Sequence, residues 1–241
     1  MFKDIKQVMK DSVLYGIGNV AVKLVGFILI PLYTDAEYFS TADYGLMGLL
    51  EVTSQILIAV MGLSLYSGLI RWYWDAEYRD KQKTIFFTTL LFTILTSLCI
   101  GSVLWLNIDE LSALLVQQEG YSLGGELPYI LQLLILTSML GAVVEVPQNL
   151  LRLQRKPIYY SLTNIVRLFA TLVLTIYFTI SLHRGVSGVY EAQLVGIVIQ
   201  LLMVLPLVIK NSSCRVDRKC TIQLLVYSYP LVFPAIVGSL L

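Results

Sequence analysis

Apolar runs of about 20 residues, separated by short charged segments, recur along the whole 241-residue chain and match the length that crosses a bilayer core. Seven can be drawn: Ser12–Tyr33, Tyr44–Ile70, Lys83–Leu106, Leu127–Leu151, Ile158–Leu182, Val186–Ile209 and Thr221–Leu241. In hydrocarbon every backbone N–H and C=O needs a partner inside the protein, so an open chain of such runs folds as helices. Only 14% of the residues are charged, against about 25% in soluble domains. The expected fold is therefore all-α, a polytopic membrane helix bundle.

The cations alternate with the runs. Lys3, Lys6 and Lys10 precede the first; Arg71, Arg79, Lys81 and Lys83 follow the second. Arg152, Arg155 and Lys156 follow the fourth, and Lys210, Arg215, Arg218 and Lys219 follow the sixth. The intervening loops hold Arg184 as their one cation, beside Asp35, Glu37, Asp43, Asp109, Glu110, Glu119 and Glu126. Lys and Arg collect on cytoplasmic loops, which predicts a multi-pass protein of the cell (inner) membrane with a cytoplasmic N-terminus. The net charge of +1, split by membrane side, gives no reason to expect a nucleic-acid partner; the bilayer is the expected surrounding.

The loops reach about 20 residues at most, too short for a catalytic domain. Cys99 lies inside an apolar run, and Cys214 and Cys220 sit in a basic loop without a set of metal ligands. No disulfide framework, metal or other cofactor is expected. His183, the one histidine, neighbours Arg184 with no nucleophile pattern around it, so an enzyme is not expected. The basic N-terminal stretch MFKDIKQVMK precedes an apolar run without a small-residue cleavage site, which reads as an uncleaved first helix. The last run ends at Leu241 without a polar flank, and the expectation is a longer protein of which this is the N-terminal part.

Charges inside membrane helices cost roughly 3 kcal/mol at the centre and usually face a partner or a watery cavity. Lys23 lies about 16 Å past Ser12 at helical rise, too deep for its stem to reach an interface. Asn19, one turn earlier, shares its face. Glu51 has Gln55 one turn on, and Asn164 stands one turn before Arg167. Glu145 and Arg167 fall at similar depths, about 10–14 Å from the basic side. An ion pair between them would hold two helices in register, which is the plainest structural role for both. Glu191 lies near the other side as a solvated helix-end residue. A lumen holding Lys23 and Arg167, with Arg71 and Arg152 at its basic mouth, would attract an anion; phosphate or pyrophosphate suits both cation types. Glu51 and Glu145 are candidates for ion coupling, with a structural carboxylate as the alternative. Pro31, Pro147, Pro206, Pro230 and Pro234 are candidate bends.

Several stretches, in order, resemble the multidrug/oligosaccharidyl-lipid/polysaccharide exporter superfamily, and within it the bacterial polysaccharide-repeat-unit (O-antigen) flippases. They are FILIPLYT, DYGLMGLL, GLSLYSGLIRWYWD, YYSLTNIVRLFATLVL, GVSGVYEAQLVGIVIQ and YSYPLVFPAIVG. The resemblance implies two six-helix lobes, about 12–14 helices in all. Residues 1–210 would form the first lobe, 211–220 a basic cytoplasmic linker, and 221–241 the start of the second. It further implies alternating access around a cationic cavity that takes the sugar-diphosphate head of a polyprenyl-diphosphate-linked oligosaccharide. Lys23 falls where such flippases place cavity residues, and Arg71 matches the Arg closing the second helix. Glycan-assembly enzymes are partners by family association alone. The alternatives are a cation-coupled multidrug exporter of the same superfamily and, further off, a membrane glycan polymerase or glycosyltransferase.

Overall fold

The structure is a computed structural model that describes residues 27–119, 125–213 and 215–240. Among the described residues every regular element is a helix. Helix α1 covers 27–33. After it come α2 (Thr41–Gly62), α3 (Leu65–Trp72), α4 (Gln82–Leu106), α5 (Ile108–Glu119) and α6 (Leu127–Leu153). The remainder are α7 (Pro157–Ile176), α8 (Gly185–Asn211), α9 (Arg218–Ser228) and α10 (Val232–Leu240). Six helical stretches among the described residues are long and apolar enough to cross a membrane, corresponding to the second to seventh apolar runs. The chain is an all-α, multi-pass membrane bundle.

Its breaks differ from expectation. The second run, expected as one helix from Tyr44 to Ile70, starts at a Ser40–Asp43 capping box and stops at Gly62. Leu63 and Ser64 then take left-handed φ values of 46° and 49° before α3 begins. Such backbone costs a non-glycine residue about 1–2 kcal/mol, so the surroundings must hold it. Thr96 Oγ1 donates to the Met61 carbonyl at 2.7 Å, one of the last α2 carbonyls, which have no helical partner. Ser64 Oγ donates to the Leu231 carbonyl at 3.3 Å. Leu231 belongs to a 3-10 turn, Tyr229–Leu231, that separates α9 from α10 at Pro230. Pro147 and Pro206, by contrast, lie inside the continuous helices α6 and α8. The long loop before the fourth run contains α5, and α7 ends in a π turn, Tyr177–Ser181.

Helix α6 is the centre. More than half of its span (56%) is buried, against 33% or less for the others, and it packs on α2, α4 and α8. Lipid tails are as apolar as leucine, so helices associate through close packing at small residues and interhelical hydrogen bonds. Both devices are present. Ser54 and Ser138 share a buried hydroxyl bond of 3.1 Å between α2 and α6. Gln148 Nε2 donates to Thr163 Oγ1 at 2.9 Å between α6 and α7. Gly101 of α4 meets Met139 of α6 so closely that a Cβ would overlap its sulfur.

At the basic end, α9 is fastened to the rest. Gly68 lets α3 approach Leu224 and Ser228, Tyr78 bonds Gln223, and Lys81 Nζ donates to Asp217 Oδ2 at 2.7 Å. Asp217 is also the N-cap of α9, accepting from the Lys219 and Cys220 backbone N–H groups. The bond from Lys81, aided by these amides, holds the Asp217 carboxyl below its ordinary range. A depressed folded pKa adds stability that is complete above the unfolded value and lost as pH falls through the folded one. Asp217→Asn keeps an N-cap side chain but removes the charge. The thermal-stability gap between wild type and Asp217→Asn should therefore hold steady above about pH 3.9 and close below it. A gap that persists in stronger acid would show that the charge is not its source.

Candidate functional site

Helices α2, α6, α7 and α8 surround a cavity of about 310 Å³, at the lower end of the roughly 300–1,000 Å³ range of small-molecule sites. From α2 it receives Glu51, Ser54, Gln55 and Ile58, and from α6 Thr137. Asn164, Arg167, Leu168 and Thr171 come from α7, and Gln193 from α8. Each helix contributes one face: 51, 54, 55 and 58, like 164, 167, 168 and 171, are spaced by threes and fours. Gly196 makes the α7–α8 approach possible, since a Cβ there would overlap Thr171 Oγ1 and lie 3.3 Å from the Arg167 carbonyl.

Arg167 is held by a directed chain of amides. Its Nη1 donates to Gln200 Oε1 at 3.1 Å, Gln200 Nε2 donates to Asn164 Oδ1 at 3.1 Å, and Asn164 Nδ2 donates to the Tyr160 carbonyl at 2.8 Å. Gln200 is buried. The carbonyl at the far end accepts only, so each amide must turn its oxygen toward the guanidinium. The guanidinium is thus oriented by neutral partners. Glu51 lies on the same cavity, where it accepts from Gln55 Nε2 at 3.1 Å. No ion pair closes between Glu51 and Arg167: among the described residues the ion pairs are Lys81–Asp217 and Arg184–Glu191. Thr137 Oγ1, also on the cavity, is buried without a hydrogen-bond partner among the described residues.

The structure brings Glu51, Asn164 and Arg167 together as the polar stripes suggested. It does not form the Glu145–Arg167 pair. Arg167 turns to Gln200 on α8, while the Glu145 carboxylate faces the end of α2, with Oε2 4.0 Å from where a Gly62 Cβ would stand. Arg152, exposed in the last turn of α6, bonds the Tyr160 hydroxyl and lies 4.5 Å above that ring. Arg71 is exposed in the last turn of α3. Neither arginine lines the cavity, nor does Glu145. Glu191 is not simply solvated; Tyr129 and Arg184 both donate to it. Lys23 and Asn19 lie outside the described residues. Sequence reasoning missed Gln193 and Gln200, whose seven-residue spacing marks one face of α8, and the hydroxyls Ser54, Thr137 and Thr171.

No protein-family model matches the chain, and no curated protein does. Solved structures share its fold. One is a MATE in the straight conformation, at 19% identity and TM-score 0.72, covering 98% of this chain and 53% of that one. Another is an outward-facing multidrug resistance MATE family transporter of the MOP superfamily, at 17% identity and TM-score 0.72, with coverages of 98% and 52%. A third, a MOP superfamily transporter from Pyrococcus furiosus, has a binding pocket of reverse polarity that suggests a different function. It matches at 19% identity and TM-score 0.72, with coverages of 98% and 52%. The chain spans about half the length of these transporters and has the fold of that half.

Two features of the α7–α8 contact set measurable stabilities. Gly196→Ala forces α7 from α8 and should cost about 1–3 kcal/mol, as overpacking does, read as lowered thermal stability in detergent. An unchanged melting temperature would show that the approach is not tight. A double-mutant cycle of Arg167→Met with Gln200→Leu should give a coupling of about 0.5–3 kcal/mol; additivity would mean that the amide chain does not hold the cation.

Proposed function

We propose that this chain is one lobe, with the start of a second, of an alternating-access exporter that flips polyprenyl-diphosphate-linked oligosaccharides to the outer leaflet. The observation that carries this is the chemistry of the cavity wall. Of its ten lining residues eight are polar and none is aromatic. Amides and hydroxyls match the donors and acceptors of a glycan, whereas a site for apolar drugs is lined mostly by hydrophobic and aromatic side chains. Arg167, oriented by neutral partners, suits a diphosphate, and Lys23 would add a second cation. Arg71 and Arg152 are proposed to meet the anionic head at the basic end. Residues 1–210 are then the first lobe, 211–220 the linker and 221–241 the opening of the second, in an inner membrane with the N-terminus cytoplasmic.

Glu51 favours a second reading, cation-coupled multidrug export, because a carboxylate on the cavity is what an organic cation or a coupling ion would use. The MATE fold serves a multidrug resistance transporter, and its Pyrococcus furiosus relative has a pocket of reverse polarity. Glu145 is the other candidate for coupling.

The decisive measurement uses cells lacking the full-length protein and asks on which leaflet lipid-linked oligosaccharide accumulates. Build-up on the cytoplasmic leaflet is expected, relieved by wild type. Arg167→Gln and Lys23→Ala should insert normally yet reduce export about tenfold or more, the loss of about 1.5–3 kcal/mol that a charged hydrogen bond represents. Absence of build-up, with altered sensitivity to cationic drugs, would replace the glycan reading by the second.

A further inference from the structure

Glu145 lies on α6 eight residues past Thr137, about 12 Å nearer the basic end at helical rise. It is half-buried, and its carboxylate has no hydrogen bond or ion pair among the described residues. Its Oε2 stands 4.0 Å from where a Gly62 Cβ would be, so it faces the end of α2. That is the unfavourable end of a helix for an anion, because a C-terminus carries about half a negative charge. The last four carbonyls of a helix also lack helical partners. In α2 the Met61 carbonyl accepts from Thr96 Oγ1 at 2.7 Å, and that of Val60 from the Leu63 N–H at 3.3 Å. An O–H on Glu145 would bring a third donor to the same end.

Nothing of opposite charge closes on the carboxylate. Arg152, two turns further along α6, is the cation that acts on it, but it bonds Tyr160 and lies over that ring. On α3, Tyr66 lies in the field of Glu145, and Arg71 is exposed in the last turn. Helix α2 has no charged residue between Glu51 and Gly62, and α4 has only Lys83, in its first turn. On α7 Arg167 turns to Gln200. On α8 Glu191 and Lys210 lie toward opposite ends.

We propose that Glu145 is a proton-operated latch on the α2–α3 break. Ionised, the carboxylate repels the negative end of α2 and accepts no hydrogen bond. Protonated, it loses the repulsion, and its O–H donates to a carbonyl of that end and ties α2 to α6. The proton stays on the carboxyl oxygen, and no other covalent bond changes. The break is where such a tie matters, because Leu63 and Ser64 hold left-handed backbone that persists only where the surroundings fix it. One hydrogen bond is comparable to that strain, so one proton shifts the balance between a held and a loosened break. Through Ser64 and Leu231 the shift reaches the α9–α10 turn, and along α3 it reaches Arg71. The use of this latch to couple proton movement to export rests on the exporter reading; the latch itself does not.

Hydrogen–deuterium exchange of residues 60–67 in the full-length protein in nanodiscs, corrected for the intrinsic pH dependence of exchange, tests it. From about pH 8 to about pH 5 the wild-type amides should slow about tenfold, the upper end of what one hydrogen bond contributes. Glu145→Gln carries an amide donor at every pH and should be slow throughout, and Glu145→Ala fast throughout. Glu51→Gln should keep the wild-type response. A wild-type rate independent of pH would overturn the proposal, as would a response that survives Glu145→Gln or vanishes in Glu51→Gln. Slowing by sodium ion at constant pH would also overturn it, by making the carboxylate a metal-cation site. Exchange is read without transport, so the latch and the glycan reading stand or fall separately.

Discussion

Hydrocarbon offers no hydrogen bonds, and the placement of the charged and amide groups in this bundle answers to that fact. Arg167 is the severest case. A guanidinium carries five donors and no acceptor, and burying it without partners would cost far more than the packing of one helix contributes. The chain Arg167 to Gln200 to Asn164 to the Tyr160 carbonyl gives one of those donors an amide acceptor rather than a carboxylate. That choice has a functional edge. An ion pair would have fixed the cation against a carboxylate, whereas a neutral acceptor orients it beside the cavity that it shares with Glu51.

The same constraint governs where helices stop. A break inside the membrane exposes carbonyls and amides, so it is tolerated only against other protein or a watery space. The breaks at Leu63–Ser64 and Tyr229–Leu231 lie against each other, joined by the Ser64 hydroxyl and the Leu231 carbonyl. Neither is a free hinge. A shift at one break would have to stretch or break the bond to the other. The contact between α3 and the α9–α10 segment is therefore a natural place for a shift in one helix pair to pass to another.

Much of this was legible in the sequence because two signals were periodic. Apolar runs of bilayer length located six described spans, although the second overran its helix by eight residues, and spacings of three and four put Glu51 with Gln55 and Asn164 with Arg167. What sequence could not provide was the partner across a helix pair. Glu145 and Arg167 have matching depths, but depth fixes one coordinate and the rotation of each helix fixes the other; Arg167 points to α8 instead. The α2–α3 break was hidden for another reason. Left-handed backbone usually advertises itself as glycine, yet here Gly62 stays helical and the strain falls on Leu63 and Ser64. Gln193 and Gln200 were visible as a seven-residue repeat, but charged residues drew attention away from neutral ones.

That bias bears on how the cavity should be read. Charge alone is ambiguous here: Glu51 and Arg167 share the same space, and their sum is zero. The neutral groups are what favour the proposed reading. Ser54, Gln55, Thr137, Asn164, Thr171 and Gln193 line the wall, and covering these polar groups with an apolar ligand would cost free energy wherever they lack a partner. A ligand dense in hydroxyl groups would offer a partner to Thr137 Oγ1, which has none among the described residues. On the proposed function, the opposed charges would act as positioning elements at two points of a polar ligand, and the uncharged residues between them would set its identity.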